Sequence, residues 1–361
     1  MLLPTTMVGS YPRPAWYRYQ LEGRDVLEAW KVIHHAEAYE DATRTVLCDQ
    51  ELAGLDILTD GQMWFDDYSM GIGAFLWYWL ERISGFGKEK LIHPARAKAN
   101  ADAWELDEVG GVAVRGPIER GPVRLAELYR IAQRNTKRPI KACVGAGPVQ
   151  LSTLAHFEAG PVKNRYELAD ALADVFRAEI HELVGAGCKH VQLEDLGAWI
   201  PNLSGEKDFS WVKNVVHRTL DGVGGAAATS WHFCLGNVWG NPMKGMTAGG
   251  YPRILPRYFD VNVGQFVLDF ACREMEGVEV LRDLPREKTV AVGVIDVRSL
   301  QVEAPEQVAE RIRKVLAVIE PERVTLTTDC GMKQLPRPCA FEKLRSLVRG
   351  AEIVRRELNV G

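Results

Sequence analysis

The sequence has no apolar run long enough to cross a bilayer. Its longest, Gly71 to Leu80, is about half of the roughly 20 residues that a spanning helix needs. It also lacks a long basic run, and the net charge is −4. That excludes the electrostatic footprint of a nucleic-acid binder. The opening residues, Met1-Leu2-Leu3-Pro4-Thr5-Thr6, have neither the basic start nor the small-residue cleavage site of a signal peptide. Cysteine is sparse: there are 7, an odd number, in no regular framework. The expectation is reduced thiols and a cytoplasmic location. No internal repeat or low-complexity tract stands out. What is present is an ordinary globular composition over 361 residues, 47% hydrophobic and 25% charged. It suits one large α/β domain or two small ones.

Short apolar runs alternate with longer amphipathic segments. The runs predict strands at Thr6–Gly9, Asp56–Asp60, Ile140–Val144, Val191–Glu194, Ala227–His232, Gln265–Asp269, Val290–Asp296 and Arg323–Thr328. Each has the length of a strand buried on both faces, and several are rich in β-branched residues. Between them, Leu168, Leu172, Val175, Phe176, Ile180 and Leu183 recur at helical spacing and stop at the Gly185-Ala186-Gly187 breaker. Val308, Ile312, Val315, Leu316 and Ile319 repeat likewise up to Pro321, and a last helix is expected over roughly 341–358.

Eight strand-helix units predict a single (β/α)8 TIM barrel over residues 1–361, with a doubly wound open sheet as the alternative. Two segments exceed the minimal barrel, residues 63–125 and 237–260. They read as insertions covering the C-terminal face of the strands. Trp77-Tyr78-Trp79, Trp231 and Trp239 read either as core or as the lining of an alkyl pocket, the core reading being the commoner one for such aromatics. Gly145-Ala146-Gly147 resembles the start of a dinucleotide-binding loop, but Gln150 stands where the third glycine belongs.

The strand ends carry the chemistry. Ser10 follows the first, Asp60 and Gln62 the second, and Glu194-Asp195 the fourth. His232 and Cys234 end the fifth, Asp269 the sixth, Asp296 the seventh, and Asp329-Cys330 the eighth. In a barrel all of these lie on the catalytic rim. His232 and Cys234 are two apart, so on a strand they point the same way. With Cys330 they offer an imidazole and two thiolates, donors that zinc prefers. Asp269 is positioned to add a carboxylate oxygen. Cys272 competes for that place, while Cys48, Cys143, Cys188 and Cys339 read as structural. Two thiolates neutralise zinc's charge and make it a poor activator of water. Such a metal suits a substrate thiol, which near pKa 8.5 is only a few per cent ionised at neutral pH. Full ionisation raises the thiolate fraction by roughly thirtyfold, or about 2 kcal/mol.

With these residues in view, the chain resembles the catalytic domain of the cobalamin-independent methionine synthase family along its whole length. Val8-Gly9-Ser10-Tyr11-Pro12-Arg13-Pro14 resembles the opening motif, and Gly147-Pro148-Val149 and Val191-Gln192-Leu193-Glu194-Asp195 resemble two later segments. His232-Phe233-Cys234 and Asp329-Cys330-Gly331-Met332-Lys333 resemble the zinc motifs, and Gly293-Val294-Ile295-Asp296-Val297-Arg298-Ser299 the strand-seven motif. The resemblance implies a barrel that binds Zn2+ through His232, Cys234, Asp269 and Cys330. It implies that Ser10, Gln62 and Glu194 orient homocysteine, with Asp296 and Arg298 at the reacting centre. Methyl transfer to the homocysteine thiol is the implied activity.

The sequence also departs from that pattern. Asp269 and Gln62 stand where the family has Glu, Glu194 where it has Asp, Leu196 where it has Pro, Arg298 where it has His, and Leu154 where it has an aromatic. The resemblance covers the family's catalytic barrel and leaves its N-terminal half-barrel without a counterpart in these residues. Loss of a carboxylate at Gln62 weakens recognition of an ammonium. Loss of a stacking platform at Leu154 argues against a bulky folate, so the donor is expected to be another small molecule or a methylated corrinoid protein. Arg298 aimed at the site favours an anionic group, as in an epoxyalkane:coenzyme M transferase; the plain alternative is a salt bridge to Asp296 or Glu194. A metal-free uroporphyrinogen-decarboxylase-like lyase leaves the His and Cys residues without a role. A non-catalytic zinc module leaves the long insertions unexplained.

Overall fold

The computed structural model of the chain describes residues 1–17, 33–64, 73–87, 112–158, 160–201, 205, 208–234 and 249–360. Parts of both expected insertions, including 88–111, 237–248 and Trp239, lie outside these residues. In chain order the strands are β1 (Ser84–Phe86), β2 (Val112–Glu119), β3 (Lys141–Gly145), β4 (Ala155–Phe157), β5 (His190–Glu194), β6 (Ala228–Phe233), β7 (Gln265–Asp269), β8 (Thr289–Ile295) and β9 (Val324–Thr328). The α-helices are α1 (Ile33–Ala53), α2 (Gly73–Leu80), α3 (Leu125–Arg134), α4 (Pro148–Ser152), α5 (Arg165–Gly185), α6 (Ser210–Thr219), α7 (Gly250–Ile254), α8 (Pro305–Leu316) and α9 (Arg337–Val360).

Six strands form one parallel sheet in the order β3-β5-β6-β7-β8-β9. Its two edges meet through two short segments. Thr5 makes a parallel bridge to Leu326 of β9, and Leu58 makes one to Ile140, beside β3. Thr6 N donates to Leu326 O at 2.9 Å, and Leu326 N donates to Pro4 O at 2.8 Å. Asp56 N and Ile57 N both donate to Thr5 O at 3.0 Å, and Lys141 N donates to Leu58 O at 2.8 Å. The hydrogen bonding therefore runs around a closed circuit of eight positions. This is the barrel, and it removes the open-sheet alternative. The first two expected strands reduce to one bridge each, at Thr5, one residue before the predicted Thr6–Gly9, and at Leu58 within the predicted Asp56–Asp60.

Helices cover the outside for the reason the sequence predicts. In α5, Leu168, Leu172, Val175, Phe176, Ile180 and Leu183 are all buried. Asn164 caps it by accepting from the amides of Tyr166 and Glu167, which satisfies donors that a helix start leaves free. In α8, Pro305 takes the first turn, and Val308, Ile312 and Val315 face inward.

A side sheet in the order β1-β2-β4 is not anticipated by the sequence pattern. β2 runs parallel to β4 and antiparallel to β1. The described part of the first insertion is thus anchored beside the barrel. Trp77, Tyr78 and Trp79 are buried, and Trp79 stacks on Phe176 of α5 at 3.9 Å between ring centroids. These aromatics are core, as is Trp231, whose Nε1 donates to Asp195 O at 3.0 Å.

The junction at Asp56 generates a prediction. Its Oδ2 accepts from Thr5 N at 2.8 Å, Thr5 Oγ1 at 2.9 Å and Arg355 Nη2 at 2.6 Å. Arg355, on α9, also donates to the carbonyls of Leu2 and Leu3. Asp56→Ala strands these donors and is expected to lower the unfolding free energy by about 2 to 3 kcal/mol, read as a lower denaturant midpoint at unchanged slope. An unchanged midpoint would show that the ring closes without this carboxylate.

Candidate metal and substrate site

At the C-terminal ends of the barrel strands, His232, Cys234 and Cys330 converge. Their ligand atoms all lie within 4.8 Å of one another. The two sulfurs are 3.6 Å apart, and neither is in a disulfide. Two sulfurs bound at 2.3 Å to a tetrahedral zinc would lie about 3.8 Å apart. His232 Nε2 is buried and has no hydrogen-bond partner. The ring's other nitrogen is hydrogen-bonded to the main chain of Asp329, which fixes the tautomer and leaves Nε2 as a lone-pair donor. Burial, and then the charge of Lys141, push the His232 imidazole down to about 3. It is therefore neutral, as a ligand must be. The Cys330 thiol is pushed well up, first by its hydrogen bond with Cys234 and then by burial. A cation reverses that balance by favouring thiolate. The donor set and spacing thus fit zinc.

Asp269 lies outside this three-donor cluster. Its carboxylate accepts from the hydroxyl of Tyr251, which also contacts Phe233 O and receives Asp269 N at 2.9 Å. Cys272 is likewise outside the cluster. Its amide donates to Asp329 Oδ2 at 2.6 Å, while Ala271 N donates to Oδ1 at 2.9 Å. Asp329 is fully buried, and it closes the turn after β7. Burial, then the neighbouring Asp269, raise it well above the usual carboxylate range. Gly293 makes room for it, since a Cβ there would sit 2.2 Å from Asp329 Oδ1.

Gln62 and Glu194 meet on another part of the rim. Gln62 Nε2 donates to Glu194 Oε2 at 3.1 Å. Gln62 has a left-handed backbone, φ 52°, unusual for a residue with a side chain. Asp60 Oδ1 accepts from its amide at 2.9 Å, and Arg13 Nη2 donates to its carbonyl at 2.7 Å. These bonds hold the strained turn. Burial, opposed by the amides of Gln62 and Gln192 and by Lys141, leaves Glu194 raised to about 7. Its neighbour Asp195 turns away and caps α4, accepting from the amides of Val149 and Gln150 and from that of Gly197. Ser10 stands next to the second cysteine's loop. Its carbonyl accepts from Met332 N at 2.6 Å, and a Cβ on Gly331 would lie 2.1 Å from its Oγ.

Arg298 binds Asp296. Arg298 Nε and Asp296 Oδ1 are 3.2 Å apart, and the Arg298 amide donates to the same oxygen at 2.8 Å. Another guanidinium nitrogen donates to the carbonyl of Cys272. Of the two outcomes open for Arg298 in the sequence, the salt bridge to Asp296 is the one formed.

Sequence reasoning did not single out Lys141, Gln192 and Tyr251. Lys141 and Gln192 were visible as polar residues two positions from Cys143 and Glu194 on otherwise apolar strands. That spacing puts each pair on one face. Nothing local marks Tyr251.

The family described as cobalamin-independent synthase, catalytic domain, matches residues 3–353. The chain is 32% identical over 362 aligned residues to a methionine synthase of Thermococcus kodakarensis, covering 99% of this chain and 95% of that protein. It is 31% identical to the methionine synthase of Sulfurisphaera tokodaii, covering 99% and 94%. Among solved structures, a B12-independent methionine synthase from Shewanella sp. W3-18-1 in complex with selenomethionine superposes with a TM-score of 0.79. That match is at 27% identity over 100% of both chains. These likenesses lend no support to a corrinoid donor. No described helix is long and apolar enough to cross a membrane. Barrel, rim chemistry and full-length likeness agree: the chain is a methyltransferase belonging to the cobalamin-independent methionine synthase family.

Proposed function

We propose that the protein methylates the thiol of homocysteine, with zinc held by His232, Cys234 and Cys330. The observation that carries this reading is the buried, unpartnered His232 Nε2 facing two thiols 3.6 Å apart, neither in a disulfide. When bound, zinc ionises the substrate thiol at neutral pH. Asp269, held by Tyr251 beside the cluster, would be the carboxylate available to a bound zinc in the absence of a thiol. Glu194 receives the substrate ammonium, Gln62 holds Glu194, and Ser10 braces the loop of Cys330. Asp296 pairs with Arg298 and keeps the loop after β8 at the reacting centre. The thiol gives its proton to solvent, and its sulfur forms the new bond to the methyl carbon. The donor's leaving group keeps the electron pair of the bond that breaks. The donor is a small molecule that presents a methyl group on a good leaving group.

Arg298 is occupied by Asp296 and the Cys272 carbonyl. That supports an amino-acid thiol over a sulfonated one. With Gln62 neutral, Glu194 alone supplies negative charge to an ammonium, in a partly buried setting where such a bond is strong.

Protein purified without added metal is expected to contain close to one zinc per chain by elemental analysis. His232→Ala, Cys234→Ser and Cys330→Ser are each expected to lose most of it. A zinc-free wild type under careful handling would sink the reading. At the zinc absorption edge, homocysteine is expected to add a third sulfur at about 2.3 Å, and coenzyme M is expected to add none. The reverse pattern would move the assignment to an anionic thiol.

A further inference from the structure

We propose that Lys141 and Gln192 are positioning residues that set the substrate preference of this site by aiming Glu194. The inference rests on the reading above, in which Glu194 receives an ammonium. Lys141 and Gln192 face the barrel interior from β3 and β5, 6% and 0% exposed. Lys141 Nζ donates to Gln192 Oε1 at 2.6 Å. Among the described residues this is the one hydrogen bond its ammonium makes. An ammonium only donates, so the amide of Gln192 has one orientation available. Its oxygen faces Lys141, and its Nε2 faces Val8 O at 2.7 Å and Glu194 Oε1 at 3.0 Å. The flipped amide would point oxygen at a carbonyl and a carboxylate.

Glu194 is thereby held on both oxygens by neutral amides, Gln192 on Oε1 and Gln62 on Oε2. An ionised carboxylate has about four acceptor positions, so two remain for an incoming cation. Gly9 closes the remaining side. A Cβ there would lie 2.8 Å from Glu194 Oε1 and 3.3 Å from Gln62 Cδ. Val8 O, the third partner in this arrangement, also accepts from Cys143 Sγ at 2.8 Å. A buried lysine serving stability alone gains most from a carboxylate partner. This one is committed to an amide whose other end decides where Glu194 points.

The test compares homocysteine with 4-sulfanylbutanoate, the same thiol without its amino group, by calorimetry on zinc-loaded protein. Wild type is expected to prefer homocysteine. Lys141→Met removes the donor at similar length and is expected to reduce that preference by about tenfold, as the loss of one charge-linked hydrogen bond implies. Zinc content and affinity for 4-sulfanylbutanoate should stay within about twofold, and KM for homocysteine should rise more than kcat falls. Gln192→Glu keeps a partner for Lys141 but turns an acceptor toward Glu194. It is expected to lose the preference in the same way, and it serves if Lys141→Met does not fold. Equal weakening toward both thiols, or an unchanged preference, would overturn the proposal. If wild type itself shows no preference, the ammonium reading of Glu194 fails instead. The relay is then judged on the side-chain amide of Gln192 in selectively labelled protein: Lys141→Met should shift its resonances and speed its exchange, and unchanged signals would reject it.

Discussion

The closed circuit of main-chain hydrogen bonds is the constraint on which the rest of this molecule depends. A parallel sheet leaves a row of unpaired amides and carbonyls at each edge. Here those edges are joined by segments that bridge at Thr5 and Leu58 alone. Thr5 O accepts two amides, and the Asp56 carboxylate gathers Thr5 and Arg355. Once the ring is closed, all strand ends must lie on one rim. That is why sulfurs 96 residues apart in sequence stand 3.6 Å apart in space. It is also why Gln62 meets Glu194 across 132 residues.

The rim divides into two chemical sides. Ends of β6 and β9 bring an imidazole and two thiols, and the turn after β7 is locked by Asp329 behind them. The opening segment, the turn at Gln62 and the interior of β3 and β5 bring amides, one carboxylate and one ammonium. Barrel interiors are ordinarily filled by layers of branched apolar side chains. Replacing part of a layer with Lys141, Gln192 and Glu194 removes water without removing polarity. Each polar atom is then fixed by the next one rather than by solvent.

Much of this was legible in the sequence, and the physical reason differs by element. β3 and β5 to β9 lie within a residue of their predicted bounds, because each is a continuous apolar run between turn residues. The first two strands shrink to single bridges, at Thr5 and Leu58, and the chain after Leu58 enters a polar turn. β1 and β4 span three residues each, too few for any period to show. The metal donors could be found because reactive side chains at strand ends mark a barrel's rim. The engagement of Asp269 by Tyr251 could not, because α7 reaches β7 only through tertiary packing. The left-handed turn at Gln62 is hidden for a similar reason. It is held by Asp60 and Arg13, and glutamine carries no local preference for that conformation.

The neutral amide at Gln62 also alters the electrostatics of the substrate side. A carboxylate in its place would stand at hydrogen-bonding distance from Glu194, and two such groups do not both ionise. One would hold a proton, and the pair would carry a single negative charge shared between them. With Gln62, that single charge belongs to Glu194, and the amide stabilises it by donating to Oε2. Burial works the other way and raises Glu194 to about 7. Gln62, Lys141 and Gln192 oppose burial in that order. The departure from the family pattern therefore need not cost the site its anion. It shifts the means of holding that anion from a second acid to oriented amides, whose orientation in turn has to be enforced from inside the barrel.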